Sequence, residues 1–148
     1  MATSDDAPNY IIGPLLQRAH RHAADAFNRA LVSLEIQGRH FAVLMALDRL
    51  GSTSQARLVE HLGAEKSAMV RMIDDLESRG LVERGADPAD RRALPVTLTA
   101  SGAETFAAAS AIAARVADDL LDGFDAGERV QLRALLTRFV GASPGVSP

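Results

Sequence analysis

Hydrophobic periodicity leaves the helical pattern in one stretch of this chain, and the place where it does so restricts what the chain can fold into. Up to Gly80 apolar residues recur at helical spacings. Beyond it, Leu81-Val82-Glu83-Arg84 and Ala93-Leu94-Pro95-Val96-Thr97-Leu98 read as two short strands around a polar, Pro-containing loop, Gly85 to Arg92. Just before the change lie two short helices, one from an N-capping Ser54 to about His61 and one over about 65–79, separated by Gly63. Helix, glycine turn, helix and hairpin thus follow one another within about 45 residues. Pro95, which has no N–H for a ladder, places its strand at an edge, as a two-stranded hairpin permits.

That order is the layout of a winged helix-turn-helix, in which the second helix of the pair faces a duplex. Projected at about 100° per residue, Met69, Met72, Ile73 and Leu76 form one core-facing stripe, and Ser67, Val70, Arg71, Asp74 and Ser78 fall opposite. Ser67 can hydrogen-bond a base or phosphate, Arg71 can reach guanine or backbone, and Val70 can touch a thymine methyl. At the hairpin tip Asp90-Arg91-Arg92 sets two guanidinium groups beside a carboxylate, suited to a minor groove.

Helical patterns flank this unit. One starts at Pro8 and carries Ile11, Ile12, Leu15, Leu16, Ala19, Ala23, Ala26, Phe27, Ala30 and Leu31; Pro14 marks either a bend in its first turn or its true start. A second runs over about 37–50 and stops at Gly51. After the hairpin, Thr99 caps a helix over about 101–122 with eight alanines between 103 and 117, and Asp125-Ala126-Gly127-Glu128 opens a last helix over 126–140. Residues 1–7 and the Gly/Pro/Ser-rich tail 141–148 are expected to be flexible. The fold class is mainly α with a small two-stranded β-wing, and residues 8–140 form one unit.

Charge narrows the function by its distribution. The chain of 148 residues has 16 basic and 19 acidic side chains, so nothing resembles a histone-like surface, and any nucleic-acid contact must come from local placement of arginines. All the basic residues but Lys66 are Arg, the side chain suited to forked contacts with phosphate and guanine. The absence of cysteine excludes disulfides and thiolate metal sites. No stretch approaches the roughly 20 apolar residues of a membrane span, and a cytoplasmic protein is expected.

Residues 36–100 resemble the MarR family of bacterial winged-helix transcription factors. The resemblance is carried by Arg39-His40-Phe41-Ala42-Val43-Leu44, by Leu58-Val59-Glu60-His61-Leu62-Gly63, and by Met72-Ile73-Asp74-Asp75-Leu76-Glu77-Ser78-Arg79-Gly80-Leu81-Val82-Glu83-Arg84. Asp87-Pro88-Ala89-Asp90-Arg91-Arg92 and Leu98-Thr99-Ala100-Ser101-Gly102 complete it, and the Asp-x-Arg at 90–92 with Leu-Thr following is its most specific element. With the flanking helices the likeness extends over residues 8–140. It implies a homodimer on a palindromic double-stranded DNA site, with 8–35 and 101–140 as dimerisation helices and 36–100 as the DNA-binding region. The groove contacts it implies are Lys66, Ser67, Ala68, Val70 and Arg71, with Ser54 and Gln55 on the backbone, Arg91 and Arg92 at the wing tip, and Asp90 orienting Arg92. Several residues depart from the family pattern: Ala68 and Val70 stand where hydroxyl residues are common, Asp75 where a basic residue is common, and Glu65 where Asp caps the helix. Gln37 likewise replaces a capping Thr ahead of the second helix.

The resemblance also implies a regulator, usually a repressor, whose DNA affinity changes when a small aromatic or phenolic anion binds between the dimerisation helices and the winged unit. Arg39, His40 and His20 are the candidate ligand contacts. No catalytic residue, cofactor or metal site is expected: the four histidines are scattered, His20 and His22 lie two apart on different helix faces, and there is no Gly-rich phosphate loop. The competing reading is a winged-helix protein-interaction module that does not bind DNA, favoured by the acidic balance and Asp75.

Overall fold

Each expected helix forms, and several of the ends are set by residues that the sequence offers as caps. The computed structural model describes residues 8–85 and 94–141. A single 3₁₀ turn, Asn9–Ile11, leads into α1 (Ile12–Leu31), so Pro14 lies in the first helical turn, where its missing N–H leaves no bond unmade. Then come α2 (Gly38–Leu50), β1 (Thr53–Ser54), α3 (Gln55–Leu62), α4 (Lys66–Ser78), β2 (Val82–Arg84), β3 (Pro95–Leu98), α5 (Ala100–Leu120) and α6 (Ala126–Gly141). The Ser54 hydroxyl accepts from the Arg57 N–H, and the Thr99 hydroxyl from the Gly102 N–H. Asp125 and Glu128 exchange a reciprocal pair of bonds at the start of α6. Gly63 ends α3 in the left-handed region, at φ 60°, which a side chain would resist.

Two expectations about the sheet need correction. The β2–β3 hairpin of the wing forms, but the sheet does not stop at two strands: Thr53–Ser54 adds a third, and the antiparallel order is β1-β3-β2. A two-residue strand has no period to read, so nothing in the sequence marks it. Pro95 therefore lies on the central strand rather than an edge. It is tolerated because it is the first residue of β3, where its carbonyl accepts from the Gly85 N–H at 2.8 Å and no ladder donor is required of it.

The core is the winged unit. Leu44 and Leu47 of α2, Leu58 of α3, Met69, Ile73 and Leu76 of α4, and Val82 and Val96 of the sheet are buried together, each contributing about 1.5–3 kcal/mol relative to exposure. The expected inner stripe of α4 is the observed one, with Met72 half-buried at its margin. Three aromatic rings bind the outer helices to this core: Phe27 of α1 meets Phe41 of α2 edge-on at 5.1 Å, and Phe41 stacks on Phe106 of α5 at 5.5 Å. The start of α5 lies so close to the turn after α4 that a Cβ on Gly102 would fall 1.9 Å from the Leu81 carbonyl oxygen. Thr99 fixes the same corner, its hydroxyl donating to the Gly80 carbonyl at 2.6 Å.

The last helix is different. No residue of α6 is buried, and Val130, Leu135, Leu136, Phe139 and Val140 are exposed, as are Tyr10, Ile11, Ile12 and Leu15 at the other end of the chain. Between them runs a mostly apolar groove of about 460 Å³ lined by Ile12, Leu16, Leu132, Leu135, Leu136 and Phe139, with Arg138 beside them. Among the described residues no single helix is long and apolar enough to cross a membrane.

Candidate nucleic-acid interface

Helix α4 rests on α3 and β2 through its buried stripe and presents the opposite side outward. Lys66, Ser67, Val70, Arg71 and Asp74 are exposed there, with Ala68 half-buried at the edge. Ser54 and Gln55 lie at the start of α3, both partly buried. Asp90, Arg91 and Arg92 lie outside the described residues, as do 1–7 and 142–148.

The structure adds two features of this face that periodicity does not convey. The Ser67 hydroxyl donates to both carboxylate oxygens of Glu65, at 2.6 and 2.7 Å. This bond, ahead of all other causes, holds the Glu65 carboxyl below its ordinary range. A negative charge thus sits at the N-terminus of α4, and it engages the Ser67 hydroxyl as a donor. On the other flank, the Arg84 side chain of β2, 7% exposed, spans Asp74 at 2.6 Å and Glu77, while its backbone N–H reaches Glu77 Oε1 at 3.3 Å. Arg84 joins the base of the wing to α4. Sequence reasoning passed over it; the available signal was a pair of carboxylates at i and i+3 on one helix with an arginine in the next strand.

A second polar network ties α4 to α2. His40 is buried; its Nδ1 accepts from the Gln37 N–H at 3.0 Å, which caps the first turn of α2, and its Nε2 lies 2.9 Å from Asp75 Oδ2 without a well-aligned hydrogen bond. Asp75 also accepts from Arg79 Nε at 3.1 Å, and the Arg79 guanidinium donates to the Glu35 carbonyl. Glu35 has a left-handed backbone, φ 56°, which turns the chain into α2. Burial lowers the His40 pKa from its ordinary value; Asp75 opposes that shift, and Arg39 and Arg79 reinforce it. Its hydrogen bond from Arg79 holds Asp75 below the usual carboxylate range.

The three ligand candidates divide between two cavities. His20 and Arg39 line one of about 620 Å³ between α1, α2 and α5, whose other walls include Phe27, Asn28, Val116 and Leu120. His40 lines the other, about 530 Å³, between the start of α2 and α4, with Arg39, Arg71, Asp75 and Arg79. Arg39 belongs to both.

With this geometry in view, the sequence model of the MarR family matches residues 34–93, which hold the turn at Glu35, α2, α3, α4 and β2. The HTH-type transcriptional repressor NicR of Pseudomonas putida is 30% identical over 129 residues, covering 87% of this chain and 82% of that protein. The chain belongs to the MarR family. Among solved structures, BpsR of Bordetella bronchiseptica, described for regulation of its DNA binding by 6-hydroxynicotinic acid, is 28% identical at a TM-score of 0.80, covering 87% of this chain and 98% of its own. A variant of MarR from E. coli complexed with operator DNA is 28% identical at 0.78, with 91% and 99% covered. The fold is thus shared over nearly the whole length of both.

Proposed function

We propose that this MarR-family chain is a repressor that binds a palindromic operator as a homodimer and responds to a small aromatic acid. The observation that carries the DNA reading is the outward face of α4: a short helix held from behind by the core and at one flank by Arg84, on which Lys66, Ser67, Val70 and Arg71 are exposed among the described residues. MarR from E. coli, of the same fold, is known in complex with operator DNA. The apolar surfaces of α6 and of the start of α1 support the dimer, since apolar residues so concentrated on a monomer call for a covering partner. In such a dimer two α4 helices would enter major grooves about one helical turn apart.

The cavity between α1, α2 and α5 supports the effector reading. Its walls are mostly apolar, Phe27 supplies a ring, and Arg39, His20 and Asn28 are the polar groups, a lining that suits a planar ring with one carboxylate. BpsR, whose DNA binding is regulated by a heteroaromatic acid, supports the same class of effector here.

Selection of duplexes from fragmented genomic DNA, followed by footprinting, tests the reading. The expected result is a two-fold symmetric protected site, released when 6-hydroxynicotinic acid or a hydroxybenzoate is added. Recovery of no sequence above background, together with capture of a protein partner on the α4 face, would instead support an interaction module.

A further inference from the structure

Gln37, Gly38, Arg39 and His40 stand in sequence at the head of α2, and the turn they form meets α1 through Gly38 and α4 through His40. The Asn28 side chain of α1 accepts from the Gly38 N–H at 2.7 Å, and Asn28, Gly38 and Arg39 all line the cavity between α1, α2 and α5. The next residue, His40, bonds the Gln37 N–H with one ring nitrogen and meets Asp75 of α4 with the other. We infer that the first turn of α2 is the element that transmits occupancy of this cavity to α4, and that the His40–Asp75 contact carries the transmission.

The chemistry of the parts favours a switch over a cushion. An imidazole is rigid, and His40 is only 2% exposed, so displacement of the α2 turn either moves the whole ring or breaks one of its two contacts. Asp75 has a second arrangement ready: with His40 withdrawn it keeps Arg79, which already donates to it at 3.1 Å. Asp75 shared between two partners, or held by Arg79 alone, gives α4 two discrete settings, the kind of bistable contact that coupling requires. Arg39 supplies the pull. It lines both cavities, and a carboxylate in the one between α1, α2 and α5 draws the guanidinium, and with it the turn, away from α4. The inference rests on the effector reading only for the nature of the trigger.

A double-mutant cycle on the purified full chain and the operator it selects tests this without a ligand. Asn28→Ala frees the Gly38 N–H and disturbs the turn from the cavity side. It is expected to change operator affinity by about threefold or more alone and by less than about 1.5-fold in an Asp75→Asn background. The same interaction is expected with His40→Asn, which keeps an acceptor near the Gln37 N–H but lacks the reach to Asp75. No effect of Asn28→Ala, or an equal effect in all backgrounds, overturns the inference. In a second arm, 6-hydroxynicotinic acid is expected to weaken operator binding by about fivefold or more in the parent and less than about twofold in Asp75→Asn, with its own affinity by calorimetry retained. An undiminished effect in the variant again overturns the inference. If the acid does not bind the parent, the effector reading fails, and the ligand-free cycle still decides the coupling.

Discussion

Arg84 on β2 and Asp74 on α4 lie 2.6 Å apart, and Glu77 closes on the same guanidinium from one turn further along the helix. One nearly buried cation thus sets the angle between the wing and the outward helix. Arg84→Gln leaves both carboxylates without their partner. Because Asp74 is more than half exposed and water screens it, the expected loss is modest for a buried arginine, about 1–2 kcal/mol by urea unfolding. Operator affinity is expected to fall beyond what the unfolded fraction explains.

The approach of α5 to the turn at Leu81 is too close for any side chain at Gly102. Backbone cannot yield there as a flexible side chain would. Gly102→Ala is expected to cost about 1–3 kcal/mol or more, read as a fall in Tm, and secondarily to loosen the corner fixed by Thr99.

Buried His40 makes stability depend on pH in a defined direction. Its pKa is lowered in the fold, so between that lowered value and 6.5 the unfolded chain binds the proton better. Stability from this group is complete above about 6.5 and is lost as pH falls through the lowered value. Protonation at Nδ1 would also remove the acceptor for the Gln37 N–H. Urea unfolding from pH 7.5 down to 5 is expected to show a decline in the parent that is shallower in His40→Asn. The other three histidines are present in both proteins, so the difference isolates His40.

The fold was largely legible in the sequence because its helices are bounded by strong caps and glycines: Ser54, Thr99, Asp125 and Gly63 act as their chemistry predicts. The inner stripe of α4 was legible for the same local reason, a clean helical period. What escaped was non-local. Thr53–Ser54 becomes a strand only because β3 passes beside it. Arg84 matters because the chain folds back to set it against Asp74 and Glu77, and Asp75, read along the sequence as a loss of positive charge, is the partner of His40 and Arg79. Spacing along a chain describes faces; it does not describe which faces meet.

The apolar face of α6 yields a prediction about assembly. Leu136 and Phe139 are 40% and 56% exposed, and a charge there is costly only if a second chain covers them. Leu136→Glu with Phe139→Glu is expected to turn a dimer at low micromolar concentration into a monomer by sedimentation, with helix content near α1–α5 retained. A parent that already sediments as a monomer would remove the two-fold operator.

Most directly decisive is a salt titration of operator binding by fluorescence anisotropy for the parent and Arg71→Ala. Affinity is expected to fall steeply and linearly in log–log form, by about 0.9 per phosphate contact, and Arg71→Ala to cost about 1–3 kcal/mol on the selected site. A folded sample that binds no duplex at low salt, or whose binding is indifferent to both salt and Arg71, would contradict the assignment of α4 as a DNA-reading helix.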